Sequence, residues 1–245
     1  MTRSPGHRCP RGALAASLLL AFPATALADD PSPGGVQAPQ PVAPAPAAAI
    51  ISVSGPVAVT ARADTLLRKV ARFRGTVRAR DAGRRVVVQR FDDATQRWKR
   101  VARTVVGPRG RFVARWRPDQ PGRVRIRALL RDRRIGSARA QTPGTASAEL
   151  AVTVYRPAPA TWYGPGFFGK QTACGQTLRE DLVGVANRTL PCGTQVALFY
   201  AGRTLVVPVV DRGPFGGDAD WDLTQATAQA LGMSASDTVG AVPLP

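Results

Sequence analysis

The sequence predicts an all-β protein, a β-sandwich followed by a second, shorter β domain that carries one helix. Three observations point there. Between residues 50 and 156, short apolar runs alternate with arginine at period two and are broken by Gly- and Pro-containing turns. Charge divides at about residue 157: residues 50–156 hold 26 basic and seven acidic side chains, net +19, whereas residues 157–245 hold five and seven, net −2. Apolar residues make up 44% of the 245-residue chain, close to the globular average of roughly 45–50%, which excludes a disordered chain or a fibre.

Residues 1–28 read as a signal peptide. Arg3, Arg8 and Arg11 form a basic start, Ala13 to Phe22 an apolar stretch, and Ala26-Leu27-Ala28 a cleavage site. The apolar stretch is shorter than the ~20 residues that span a bilayer, which disfavours the alternative of an N-terminal anchor. No later stretch spans a membrane, so the chain is expected to be secreted, extracellular or cell-wall associated, with no transmembrane segment after cleavage. Cleavage removes Cys9 and His7, the chain's one histidine. Mechanisms built on Ser-His-Asp, Cys-His or His-metal sites are thereby excluded, and no metal or cofactor is expected. Cys174 and Cys192 remain, an even number in an oxidising compartment, and are expected to form a disulfide rather than two buried thiols. Closing that loop is worth roughly 3 kcal/mol.

Residues 29–49 contain six Pro and six Ala in 21 positions and read as an extended spacer. In residues 50–156 the strand candidates are Val57–Arg62, Val70–Val77, Arg85–Phe91, Trp98–Val106, Arg111–Trp116, Gly122–Leu130 and Glu149–Tyr155. Alternation is clearest where Val124, Ile126, Ala128 and Leu130 interleave with arginines, and where Phe112, Ala114 and Trp116 do so. About seven short strands in about 100 residues predict a sandwich of immunoglobulin type, similar by pattern alone to the Ig-like modules of secreted bacterial surface proteins. In residues 157–245, Gln195–Tyr200 and Thr204–Val210 read as a hairpin through Ala201-Gly202-Arg203. A helix spans Thr224 to Leu231, capped by Thr224 or Asp222 and stopped at Gly232.

The C-terminal third also carries an ordered set of motifs. These are Ala160-Thr161-Trp162-Tyr163-Gly164, Thr172-Ala173-Cys174-Gly175, Thr189-Leu190-Pro191-Cys192-Gly193-Thr194, Val210-Asp211-Arg212-Gly213-Pro214-Phe215 and Asp222-Leu223-Thr224. In this order they resemble the rare lipoprotein A (RlpA) family over about 85 residues. The resemblance implies a six-stranded double-psi β-barrel with one short helix in residues 157–245, a fold shared with expansins and family 45 endoglucanases. It implies peptidoglycan or a related cell-wall polysaccharide as partner. Some family members are lytic transglycosylases, which need an acid for the leaving oxygen. Asp211 matches the family's Asp. The Glu and His of catalytic members are replaced here by Gln176 and Asn187, which removes most of the acid–base machinery and implies binding with little or no cleavage.

The expansin comparison retains Thr161, Asp211 and Asp222, and the alternative reading is a lytic transglycosylase or glycosidase acting through Asp211 and Asp222. Thr161, Tyr163, Gln176, Asn187, Arg212 and Trp221 are the candidate substrate-binding residues. Four residues have a plainer role open to them: Asp222 as a helix cap, Asp211 as a turn acceptor, Trp162 and Trp221 as core. Trp221 is the best exposed aromatic candidate, and Asp218 and Asp220 are expected to be solvated. A third reading makes the barrel a scaffold for partner binding, since fold does not fix function.

An arginine-rich sandwich attracts polyanions. For an exported protein these are anionic wall polymers (teichoic or teichuronic acids), acidic capsules or phospholipid head groups. Nucleic acid is not expected, because the signal peptide and the absence of basic-aromatic stripes argue against it. A solvated face of a protein with high-GC composition is the alternative for the same arginines.

Overall fold

A computed structural model describes residues 46–131 and 144–245. The expected signal peptide, residues 29–45 of the expected spacer, and residues 132–143 lie outside the described residues.

The first part is built from β1 (Ile50–Val53), β2 (Ala58–Arg62), β3 (Asp64–Leu66), β4 (Ala71–Thr76), β5 (Arg85–Asp92), β6 (Arg97–Val105), β7 (Arg111–Trp116), β8 (Gly122–Arg131) and β9 (Gly144–Ala146). One antiparallel sheet runs β1-β2-β4-β7. The facing sheet runs β6-β5-β8, then β10 (Leu150–Tyr163), with β9 on β8 and β3 on β10. Period-two patterning places the core between them. Phe112, Ala114 and Trp116 of β7 and Ile126, Ala128 and Leu130 of β8 are buried with Phe73, Val86, Val88 and Val152, while Arg111, Arg115, Arg123 and Arg125 face solvent. The seven strands expected from the sequence are present. The three further strands β1, β3 and β9 have three or four residues each, too few for a periodic signal.

β10 is 14 residues long, twice the length of the strand expected there. Its first half pairs with β8 and β3, its second half with β14 (Trp221–Thr224) and β15 (Asp237–Pro243). Two prolines, Pro157 and Pro159, interrupt the donors of this strand. In the structure they occupy the stretch where β8 and β3 have left and β14 has not yet joined, with β15 as sole ladder partner. A missing N–H on the open side breaks no ladder bond. The division expected at residues 156–157 thus falls inside a strand that serves both parts.

β10 continues into a closed barrel with β11 (Val185–Ala186), β12 (Gln195–Tyr200), β13 (Arg203–Asp211), β14 and β15, in the order β14-β11-β13-β12-β15-β10, closed by β10 on β14. β10 with β14 and β11 with β13 are the parallel pairs. Val185, Val196, Leu198, Val207, Val209, Leu223 and Val239 fill the interior, and α1 (Gln225–Leu231) adds Ala228 and Leu231. Thr224 caps α1 by accepting the Thr227 N–H, and Gly232 ends it at φ 77°. The cap is therefore Thr224 and not Asp222. The expected hairpin is present, turning at Ala201-Gly202. Residues 46–49, the end of the expected spacer, lie against this turn: the Ala48 N–H donates to the Gly202 carbonyl at 2.6 Å and the Thr204 N–H to the Pro46 carbonyl at 3.0 Å.

Candidate functional site

Four neighbouring strands place one residue each on a single rung of the barrel. Thr161 of β10 is opposite Asp222 of β14, Asp222 is opposite Ala186 of β11, and Ala186 is opposite Asp211 of β13. Residues on one rung share a face, so both carboxylates look out over the same surface with the small Ala186 between them. A register irregularity makes this possible. Val185 faces Val209, but the next residue, Ala186, faces Asp211 and skips Val210. The extra residue re-aims the end of β13, as bulges do. Gly184 accommodates the displaced Val210, because a Cβ at 184 would collide with the Val210 side chain.

Asp211 is held from three directions. Its Oδ1 accepts the Ala173 N–H at 2.8 Å and the Arg212 N–H at 2.8 Å, and its Oδ2 accepts the Tyr163 hydroxyl at 3.3 Å. Ala173 reaches it because the Cys174–Cys192 disulfide, with Cα atoms 5.6 Å apart, ties the loop after β10 to the turn before β12. Asp222 is less well provided: Oδ1 accepts the Thr161 hydroxyl at 2.7 Å. Burial pushes the Asp222 carboxyl above the usual range, the Thr161 bond opposes this, and the charge of Asp211 raises it further. Burial also raises the Tyr163 phenol, with added contributions from Asp211 and Asp222. The two carboxylates and the phenol therefore form one electrostatic unit.

The other candidates divide. Gln176 is exposed, and its side-chain oxygen accepts the Thr172 hydroxyl at 3.4 Å. Asn187 lies beside the row, its N–H donating to the Asp211 carbonyl at 3.2 Å. Its side-chain oxygen accepts the N–H groups of Thr189 and Leu190, which makes it a turn residue. The guanidinium of Arg212 turns back to the Asp211 carbonyl at 3.4 Å. Trp221 corrects the sequence reading: it is 7% exposed and belongs to the barrel core, because β14 sends Trp221 and Leu223 inward and Asp222 outward. Asp218 and Asp220 are exposed, as expected.

Several contributors carried no signal as site residues. Ala173 acts through its backbone. Arg188 donates to the carbonyls of Pro214 and Ala219 at 2.6 and 2.8 Å and so holds the loop that follows Asp211. Phe215 in that loop is 82% exposed, and Phe167, 53% exposed, stands edge-on to Tyr163 with Lys170 over its ring. Phe215 lies inside a quoted motif and Phe167 three residues after one, and only exposure distinguishes them from core aromatics. Among the described residues no group of three or more His, Cys, Asp or Glu side chains is placed to hold a metal ion.

The strands β10 to β15 thus form a closed barrel of six with two parallel pairs, and its neighbouring strands carry the Thr161–Asp222–Ala186–Asp211 row. Residues 158–244 match the family model described as "Lytic transglycolase". A protein of Synechocystis named "Probable endolytic peptidoglycan transglycosylase RlpA" is 44% identical over 87 residues, 35% of this chain and 27% of that protein. One of Campylobacter jejuni named "Endolytic peptidoglycan transglycosylase RlpA" is 41% identical over 81 residues, 32% of this chain and 30% of that protein. The chain thus aligns with less than a third of the length of these curated relatives. Among solved structures, the Streptomyces papain inhibitor is similar at 28% identity and a TM-score of 0.27, covering 35% of this chain and 91% of that one. Among the described residues no helix is long and apolar enough to cross a membrane.

Proposed function

We propose that this is an exported, wall-associated protein whose barrel, residues 157–245, holds peptidoglycan or a related wall polysaccharide, while its arginine-rich part, residues 50–156, holds anionic wall polymer. The supporting observation for the barrel is the Thr161–Asp222–Ala186–Asp211 row. It presents two carboxylates and a phenol, groups that hydrogen-bond sugar hydroxyls, and the exposed rings of Phe167 and Phe215 stand on the adjoining loops. Position 176 offers an amide that transfers no proton, and the Asn187 oxygen is engaged in its turn. The reading is therefore binding with little or no cleavage.

One observation favours a second reading. Asp222 is a carboxyl raised by burial beside a second carboxylate, the arrangement that separates acid from base in glycan cleavage. In that reading Asp222 protonates the leaving glycosidic oxygen. A hydroxyl of the same sugar closes the anhydro ring, and its proton passes to Asp211.

The test is incubation of the mature protein with polymer-stripped peptidoglycan, with co-sedimentation and mass spectrometry of the soluble fraction. Binding without anhydro-muropeptides or new reducing ends is the expected result. Asp211→Asn weakens binding about tenfold, the loss of one charge-assisted hydrogen-bond set, and leaves the circular dichroism spectrum unchanged. Anhydro products that disappear in Asp222→Asn establish the second reading. Equal binding by wild type and Asp211→Asn removes the row from the site.

A further inference from the structure

The outward face of the β1-β2-β4-β7 sheet is an arginine surface without an acid. Phe73, Phe112, Ala114 and Trp116 point into the sandwich, so Arg72 and Arg74 of β4 and Arg111, Val113 and Arg115 of β7 point out. Arg72 lies directly opposite Arg115, and Arg74 stands between Thr60 and Val113. Arg62 ends β2 and is exposed. Ser52 and Thr60 add hydroxyls, bonded to each other at 3.0 Å. The four strands contain no Asp or Glu. Among the described residues, none of Arg62, Arg72, Arg74, Arg111 or Arg115 makes an ion pair.

The facing sheet shows a basic surface that is compensated from within. There Arg125 stacks on Phe91 at 3.8 Å and reaches Asp93 and Glu149 at 3.7 and 3.5 Å. Arg127 stacks on Trp98 at 4.1 Å and donates to Gln89. Like charges placed directly opposite destabilise a ladder, so Arg72 against Arg115 weakens the bare sheet and favours a bound anion that neutralises both.

We propose that this face binds a linear polyanion bearing phosphate or carboxylate groups, laid across β4 and β7; the proposal rests on the reading of residues 50–156 as the polymer-binding part of an exported protein. Residues two apart on a strand are roughly 6.7 Å apart, and neighbouring strands roughly 4.8 Å. The strand positions thus set several arginines in a grid that one extended stretch of polymer can meet together. Each planar fork takes two oxygens of one anionic group.

The test uses the full mature chain. Binding to long-chain inorganic polyphosphate and to polygalacturonate is followed by fluorescence anisotropy across a salt series. The triple variant Arg72→Gln, Arg74→Gln, Arg115→Gln is compared with Arg100→Gln, Arg103→Gln, Arg123→Gln, which removes the same charge from other strands. The first triple is expected to weaken binding at least tenfold and to flatten the log–log salt slope by about 2, as loss of three contacts does. The second changes affinity less than twofold. Single variants Arg72→Gln and Arg115→Gln relieve the like-charge opposition, keep the fold, and weaken binding about threefold each. The better of the two polymers identifies phosphate or carboxylate as the recognised group. Equal losses in both triples overturn the proposal, because net charge alone then accounts for binding. Tighter binding to phosphatidylglycerol vesicles than to either polymer also overturns it. Co-sedimentation with polymer-stripped peptidoglycan at high salt, run in parallel, reads the barrel. Its failure in the wild type sinks the glycan reading and leaves the polymer result standing.

Discussion

Asp211 and Asp222 sit on one rung, yet their surroundings differ at the level of single atoms. Two backbone N–H groups and a phenol converge on Asp211, so its position is fixed by main chain. Asp222 has one hydroxyl and a desolvated site. The pH consequence for Asp222 follows from the direction of its shift. Its folded-state value lies above the usual 3.8, so the folded state holds the proton more tightly than the unfolded state does. The Asp222 contribution to stability is then fully present below about pH 3.8 and is lost as pH rises through the folded-state value. Asp222→Asn removes the desolvated charge and keeps an oxygen for Thr161. The variant is expected to melt above the wild type at neutral pH, with the gap closing as pH falls below the unfolded value. Thermal melts from acid to neutral pH measure this. A variant that melts below the wild type at neutral pH would show that the Thr161 bond outweighs burial.

At the scale of elements, the barrel separates its aromatics by face. Trp221 is on the inward side of β14, and Phe215 is on the loop before it with its ring in solvent. Trp221→Ala opens a cavity and is expected to lower stability by ~3–5 kcal/mol. Phe167→Ala and Phe215→Ala are expected to leave the denaturation midpoint unchanged and to weaken binding to stripped peptidoglycan several-fold each. Urea melts and co-sedimentation on the three variants separate the two roles. An unaffected affinity in both Phe variants would place the glycan elsewhere on the rim.

The same contrast shows what the sequence makes legible. β7 and β8 carry enough alternating residues to declare their buried face, and α1 has its Thr224 start and Gly232 stop. Four-residue β14 is too short for its face to be read, and an aromatic beside an aspartate looks equally fit for either side. The Asp211–Asp222 juxtaposition depends on a skipped residue at Val210 and on the two-residue strand β11 standing between them. Neither leaves a local pattern. The family motifs marked both aspartates, and only the closed barrel shows that they share a face.

At the scale of the whole molecule, β10 makes the two parts one folding problem. Its residues 150–154 complete the sandwich sheet and 156–160 pair along β15 in the barrel. Around the crossing point lies a small third core of Tyr155, Ala197 and Val242 with Leu66 and Phe199 against it. Tyr155 donates to Asp64 of the sandwich at 2.7 Å and stacks on Phe199 of the barrel with centroids 5.4 Å apart. Residues 46–49, where Ala47 bridges to Arg203, add a second tie through the Ala48–Gly202 and Thr204–Pro46 bonds. A ladder that continues from one core into the next transmits unfolding, since losing either half leaves β10 without partners on that side. The wild-type chain is therefore expected to unfold in one calorimetric transition, with calorimetric and van't Hoff enthalpies equal. A flexible Gly-Ser segment inserted between Tyr155 and Arg156 interrupts β10 while each half keeps its own ladder partners. That variant is expected to show two transitions, with a calorimetric enthalpy exceeding the van't Hoff value, and to retain binding to stripped peptidoglycan. Two transitions already present in the wild type would mean that the shared strand is a connector and no more. A single transition in the variant would place the coupling in the Tyr155–Phe199 contact, and Tyr155→Ala in the variant background would then split it.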